Sequence, residues 1–122
     1  MIIKEGEALK LDRGRLLLSR RERDELGENV KKVIVRWDRG RLSIFTEEEW
    51  EQVKATALGG LERLELRNAK RLLFSSVFVE KIDTQGRILI PVYLRNIMRN
   101  IMRKIVRKIV RKEGGDAKRS SR

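Results

Sequence analysis

Ile82-Asp83-Thr84-Gln85-Gly86-Arg87-Ile88-Leu89-Ile90-Pro91-Val92-Tyr93-Leu94-Arg95 is the stretch on which the reading of this chain turns. A shortened copy stands near the N-terminus as Leu11-Asp12-Arg13-Gly14-Arg15-Leu16-Leu17-Leu18-Ser19, closing on Arg23. In both copies an Asp leads into a Gly-Arg pair and an apolar run, and a second Arg stands eight positions after the first, Arg95 after Arg87 and Arg23 after Arg15. An internal repeat governs the fold before any single residue does. A Gly in a tight turn between two apolar runs supplies the positive φ that a short strand connection needs, and an Asp at the turn entry accepts backbone hydrogen bonds. Each copy is therefore expected to form a hairpin. An Arg directly after the Gly projects from the hairpin's shoulder, where its planar guanidinium can pair bidentately with a phosphate or a base edge. Two such arginines on two equivalent hairpins would make a recognition surface.

The rest of the composition narrows the function. A chain of 122 residues, 40% hydrophobic, suits one modest core with an appendage. It has no cysteine and no histidine. That excludes disulfides, thiolate chemistry, Ser-His or Cys-His catalysis and the commonest zinc ligands. The acids lie mostly in helix-forming runs such as Glu47-Glu48-Glu49 and Glu62 with Glu65. No catalytic residue, metal site, cofactor or small-molecule substrate is expected. The opening Met1-Ile2-Ile3-Lys4-Glu5 is too charged and too short in apolar residues for a signal peptide, and no run approaches the roughly 20 apolar residues of a spanning helix. A cytoplasmic, nucleoid-associated protein is expected.

Thirty basic residues against eighteen acidic ones leave a net charge of +12, the sign that suits a polyanion. The excess is uneven. Residues 1–95 hold 20 basic and 16 acidic groups, a net +4, while residues 96–122 hold 10 and 2, a net +8.

Along the chain, residues 7–11 read as a strand that turns at 12–15 and pairs back through 16–18. A charged helical turn at 20–26 ends at Gly27, a suitable residue just past a helix. Residues 30–37 are β-branched and aromatic, hence a strand. Asp38-Arg39-Gly40-Arg41-Leu42 then repeats residues 12–16 letter for letter and joins a second strand at 42–45. Thr46 with Glu49 forms a capping box, after which Trp50, Val53, Ala57 and Leu58 share a helical face up to Gly59-Gly60. Another helix is expected from Leu61 to Leu73, its apolar side marked by Leu66, Ala69, Leu72 and Leu73. A strand at 77–82 then delivers the intact motif. Pro91 presets φ for the first position of a further helix. From Ile97 to Lys112 the chain repeats an apolar pair followed by a polar, mostly basic pair. A period of four in a helix of 3.6 residues per turn rotates the apolar stripe by about 40° per repeat, so one flat face cannot cover it. Residues 113–122, polar and Gly-rich, are expected to lack fixed structure.

Taken together, Ile82-Asp83-Thr84-Gln85-Gly86-Arg87-Ile88-Leu89-Ile90-Pro91 with Leu94-Arg95 resembles the signature of the MraZ family, within the SpoVT/AbrB group of swapped-hairpin DNA-binding proteins. The hairpin at 33–45 leading into Glu48-Glu49-Trp50, and Arg71-Leu72-Leu73-Phe74-Ser75 before the second motif, support the likeness, which covers roughly residues 5–96. The resemblance implies an α+β fold of tandem swapped-hairpin half-domains. It also implies a homo-oligomer, as a ring, that binds double-stranded promoter DNA ahead of division and cell-wall genes. Carried over, the signature Arg becomes Arg15 and Arg87 and the closing Arg becomes Arg23 and Arg95. The first copy has one residue fewer between Asp and Gly, Ser19 replaces Pro91, and the tetrad helix stands where the second half continues into another hairpin.

On this reading residues 1–58 form the first half-domain, 59–96 the connecting helix and an incomplete second half, 97–112 a basic amphipathic helix and 113–122 a disordered tail. Arg13, Arg15, Arg23, Gln85, Arg87 and Arg95 are the candidate DNA-binding residues. Lys10, Arg20 and Arg21 flank the turns and suit phosphate contacts. For Arg15 and Arg87 the bland reading is an Arg paired with Asp12 or Asp83 to fix the turn. Trp37 and Trp50 are assigned to core or interface rather than to base stacking. The tetrad helix suits DNA phosphate, a membrane surface, a sister helix, or a repeat-expanded appendage with no specific role. Its Ile, Val and Met content favours the sister helix. The competing function is a membrane-surface or self-assembly protein driven by that helix; an antitoxin, a third alternative, fits less well with two motif copies and a basic tail.

Overall fold

The computed structural model describes residues 1–120 and separates into a first unit, Met1–Ile90, and a second that begins at Pro91. In chain order the first unit contains β1 (Ile2–Glu5), a 3-10 turn (Gly6–Leu9), β2 (Arg15–Leu17), α1 (Arg20–Leu26), β3 (Lys32–Asp38), β4 (Arg41–Phe45), α2 (Glu47–Leu58), α3 (Arg63–Phe74), β5 (Val77–Lys81) and β6 (Arg87–Leu89). The fold class is α+β with antiparallel strands, as expected.

Four strands form one sheet in the order β1-β4-β3-β5. Its centre is the β3–β4 hairpin, in which Trp37 pairs with Leu42 and Asp38 with Arg41. The two turn residues, Arg39 and Gly40, have φ of 52° and 82°. Positive φ at both positions gives the backbone twist that suits a two-residue hairpin connection. The identical pentapeptide at 12–16 makes the same turn, with Arg13 at 52° and Gly14 at 78°. Identical letters have produced identical local geometry in two different surroundings.

One face of this sheet is partly covered by α2 and α3. Ile34, Phe45, Trp50 and Leu73 form a buried cluster, with Val53, Leu58 and Val77 packed against it. The Phe45 and Trp50 rings lie 5.5 Å apart and tilted, and Phe74 meets Trp50 edge-on at 6.1 Å. Aromatic pairs favour such tilted and edge-on arrangements. Trp37 and Trp50 are both buried, in line with their assignment to the core. Helix α2 starts as the sequence indicates. Thr46 Oγ1 accepts from the Glu49 backbone N–H, and a Glu49 carboxylate oxygen accepts from the Thr46 N–H. Two orphan donors at the helix start are satisfied by each other's side chains.

The expected pair of separate hairpins is not what forms. β2 pairs antiparallel with β6, Leu16 opposite Ile88 and Leu17 opposite Arg87, so each motif strand finds its partner in the other motif. The exchange continues past the strand ends: Leu18 N–H donates to the Gly86 carbonyl at 2.9 Å and Ile90 N–H to the Gly14 carbonyl at 3.0 Å. Within a motif only the isolated bridges Asp12↔Arg15 and Ile82↔Ile88 remain. The reason lies on both sides of the turn. Residues 6–9 coil into a 3-10 turn that buries Leu9, so no strand precedes Asp12 for β2 to pair with. A lone two-stranded hairpin is marginal in water. Crossing the copies instead sets Leu16 and Ile88 face to face, both fully buried.

In the second unit, α4 runs unbroken from Val92 to Ser120. Arg95 N–H donates to the Pro91 carbonyl at 2.9 Å, which makes Pro91 the capping residue, one position earlier than expected. The helix takes in the tetrads at 97–112 and also 113–120, where no fixed structure was expected. Extending an established helix adds one hydrogen bond for each residue fixed, and Gly114 and Gly115 subtract only about 1 kcal/mol each. The last part of the expected disordered tail, residues 121–122, lies outside the described residues. Among the described residues no helix is long and apolar enough to cross a membrane.

Candidate nucleic-acid interface

Asp83 organises the turn of the intact motif. Its Oδ1 accepts from the backbone N–H groups of Gln85 and Arg87, both at 2.9 Å, and its Oδ2 accepts from Arg87 Nε at 2.9 Å. Arg15 Nη1 lies 3.8 Å from the same Oδ2. One carboxylate thus hydrogen-bonds the signature arginine of the second motif and lies at ion-pair distance from that of the first. The backbone N–H of Arg87 is the main cause of an Asp83 pKa below the ordinary carboxylate range, aided by the Arg87 side chain and the Gln85 N–H. These donors favour the charged form. Two guanidinium groups and one carboxylate leave the cluster net positive, and the contact to Asp83 engages Arg87 through Nε.

The first copy is built differently because it is one residue shorter. Asp12 and Arg15 close the tight turn through reciprocal backbone bonds of 2.9 Å. Arg15 accordingly leans to Asp83 rather than to its own Asp12. Arg23, on α1, lies across the second motif: a β-carbon at Gly86 would stand 2.4 Å from Arg23 Cδ and 2.7 Å from its Nη1. A side chain at position 86 would push that guanidinium arm aside. Gln85 is exposed beside it, and Arg13 is exposed at the turn of the first copy. The structure therefore gathers Arg15, Arg23, Gln85 and Arg87 around Asp83 and Gly86, with Arg13 two residues from Arg15. Arg95 stands on the first turn of α4, in the second unit.

Other contributors carried little signal in the sequence. A cleft of about 740 Å³ beside the motif is lined by Arg23, Lys31, Lys32 and Lys81 together with the acids Asp24, Glu28 and Asp83. Lys32 and Lys81 are directly paired across β3 and β5. Like charges in that relation repel, and a bound anion relieves the repulsion. No local pattern marks two lysines that far apart in the chain as neighbours. A second capping box starts α1: Ser19 Oγ accepts from Glu22 N–H at 3.1 Å while Glu22 Oε1 accepts from Ser19 N–H at 2.9 Å, a pattern that the Ser-x-x-Glu spacing carries in the sequence. The same Glu22 oxygen receives Lys4 Nζ at 2.7 Å, tying α1 to β1. Partial burial alone would raise the Glu22 pKa, but the Lys4 and Ser19 donors outweigh it and hold the carboxyl below its usual value. Ser19 and Pro91, unlike in type, both cap the helix that follows their motif.

Among known proteins the chain is similar to the transcriptional regulator MraZ of Roseiflexus sp. strain RS-1, with 39% identity over 99 residues covering 78% of this chain and 66% of the relative. It is likewise similar to the transcriptional regulator MraZ of Pseudomonas putida strain F1, 38% identical over 96 residues, with 74% and 63% covered. The chain belongs to the MraZ family. A further MraZ, from Heliobacterium modesticaldum, is 36% identical over 85 residues, 68% of this chain and 57% of that protein. The chain thus spans 57–66% of the length of these curated relatives. All three MraZ proteins are named as transcriptional regulators, a non-enzymatic role. No family profile matches the chain, and no solved structure does.

Proposed function

We propose that this MraZ-family chain is a cytoplasmic, nucleoid-associated transcriptional regulator that binds double-stranded DNA in a sequence-specific way as a homo-oligomer, a ring in the form the family resemblance implies. The observation that carries the reading is the convergence of Arg15 and Arg87 on Asp83, at 3.8 and 2.9 Å. A carboxylate that hydrogen-bonds one guanidinium group and attracts a second at ion-pair distance draws both to one place, so less side-chain freedom is lost when they meet a base edge or phosphate. Arg13, Arg23 and Gln85 flank them on this reading, Arg95 adds a further DNA contact from α4, and the lysines of the neighbouring cleft hold the backbone. Repeated subunits on repeated promoter sites, ahead of division and cell-wall genes, would add avidity to contacts that are individually modest. The domain reading fits the same proposal: half-domains 1–58 and 59–96 each contribute one motif.

The test starts from duplexes selected by the wild-type protein out of a random pool. Each bidentate arginine contact to a base is worth roughly 1–3 kcal/mol, so Arg15→Ala with Arg87→Ala should lose on the order of 100-fold or more in affinity. The double variant must keep its far-UV circular dichroism, because both side chains lie at the surface. Wild-type affinity in the folded double variant would sink the proposal. Salt adds an independent check: wild-type log affinity should fall linearly with log salt as phosphate counterions are released.

A further inference from the structure

Helices α2 and α3 leave an apolar trough open on the first unit. At one end a cavity of about 610 Å³ is lined by Ile34, Trp50, Phe74, Val77 and Val79, and its rim carries Glu47, Glu48 and Glu51. A second cavity of about 610 Å³ continues from Glu51 and Phe74 along Ala55 and Leu58 to Gly59, with Lys54 and Lys70 at its edge. The floor is not sealed. Phe74 is 43% exposed and Val79, on the edge strand β5, 63%. An apolar floor with a wholly acidic rim at one end selects a partner that is apolar on one side and basic beside it.

The chain carries such a segment. Between residues 97 and 112 there are seven lysines and arginines and no acid. On α4 Val106 and Val110 are 55% and 60% exposed, one turn apart, and Arg103 and Arg107 are exposed as well. At about 100° per residue, Arg103 and Arg107 fall immediately beside the Val106–Val110 line. The apolar line therefore has a basic border, and the trough has acids along one end.

We propose that the acid-rimmed trough of one copy receives residues 103–110 of α4 from a second copy. Val106 and Val110 sit against Trp50, Phe74 and Val79, and Arg103 and Arg107 face Glu48 and Glu51, at the latter taking over from Lys54, whose Nζ lies 2.6 Å from Glu51 within the chain. The donor is placed in a second chain because the proposed function already makes the protein a homo-oligomer, in which the trough of one copy meets α4 of a neighbour. This deepens the oligomer part of the proposed function and is independent of the DNA-reading arginines, so its failure leaves the Arg15 and Arg87 test untouched.

The experiment measures solution mass of the full-length chain by light scattering, together with photo-crosslinking from position 106 between two differently tagged copies. The wild type should run at a multiple of 14.4 kDa and crosslink between tags. Val106→Asp with Val110→Asp should shift it toward the monomer mass, and so should Glu48→Lys with Glu51→Lys. Combining the latter pair with Arg103→Glu and Arg107→Glu restores opposite charges and should recover most of the association. All substituted positions are exposed, and circular dichroism checks that each variant is folded. A wild type at 14.4 kDa overturns the proposal, as does a crosslink confined to a single chain. A Glu48→Lys, Glu51→Lys variant that associates as the wild type does, without the compensating arginine changes, also overturns it, as does a tail that binds anionic vesicles or duplex DNA while the mass stays monomeric.

Discussion

Replacing Gly86 by Ala probes the point where the two motifs touch most closely. Two effects act there, and Gly40 separates them. At φ +78° an L-residue is held in the left-handed region, which costs about 1–2 kcal/mol. In addition the new β-carbon would stand 2.4 Å from Arg23 Cδ, far inside the roughly 3.5–4.0 Å of an ordinary carbon contact, so the Arg23 side chain must withdraw. Gly40 has a similar φ of +82° but nothing within 4 Å of its would-be β-carbon. Gly40→Ala should therefore show the backbone cost alone, and Gly86→Ala that cost plus the displacement of Arg23. For a unit of this size 1 kcal/mol corresponds to roughly 4–8 °C in Tm, so the backbone cost alone places Gly40→Ala roughly 4–16 °C below wild type, and Gly86→Ala falls further by the displacement of Arg23. Thermal melts of the two variants, repeated in an Arg23→Ala background, form a double-mutant cycle. Removing Arg23 should bring the cost of Gly86→Ala down to that of Gly40→Ala. If Gly86→Ala costs no more than Gly40→Ala with Arg23 present, or if Arg23→Ala leaves the difference unchanged, the close packing of Arg23 over Gly86 plays no part in stability.

Two further outcomes are expected. Ser19→Ala removes the cap that starts α1 and should cost about 1 kcal/mol, seen as a lower midpoint in denaturant with an unchanged slope; a midpoint equal to wild type would mean that the Ser19–Glu22 box contributes nothing. Asp83 has a folded-state pKa below its unfolded one, so its stabilising bonds are fully present above the unfolded value and are lost as pH falls through the folded one. A carboxyl-carbon NMR titration should place its midpoint below that of an unperturbed Asp, and in Arg87→Ala the midpoint should rise; a midpoint at or above the ordinary value would show that Asp83 does not hold the arginines.

Much of this fold is written locally. The Thr46–Glu49 box and the apolar spacing from Trp50 place α2, the β-branched run before Asp38-Arg39-Gly40-Arg41 places the central hairpin, and the same pentapeptide at 12–16 repeats the turn. Those signals depend on neighbours within a few residues. What failed depends on distance. β2 and β6 have three residues each, too few to encode a choice of partner, and the exchange between Leu16 and Ile88 is decided by mutual burial. Residues 7–11 alternate in polarity well enough to suggest a strand, yet Gly6 at φ +59° starts a 3-10 turn instead. At the site, the Gly-Arg spacing identified Arg15 and Arg87 as candidates, but the convergence on one carboxylate was invisible because Asp12 is the nearer acid to Arg15 in the chain. The α1 cap, by contrast, lay in plain view at Ser19 and Glu22.

The exchange of β2 and β6 also sets an order of events. Leu16 and Ile88 are 72 positions apart, and a contact across so long a loop forms late because the intervening chain must first lose its freedom. During synthesis the first motif has no strand to pair with until β6 has left the ribosome, and Arg15 has no Asp83 to hold it. A nascent or truncated chain therefore displays its arginines singly. The paired arrangement comes into being only once both halves have been made, so the competence of the surface itself reports that the body of the protein is finished.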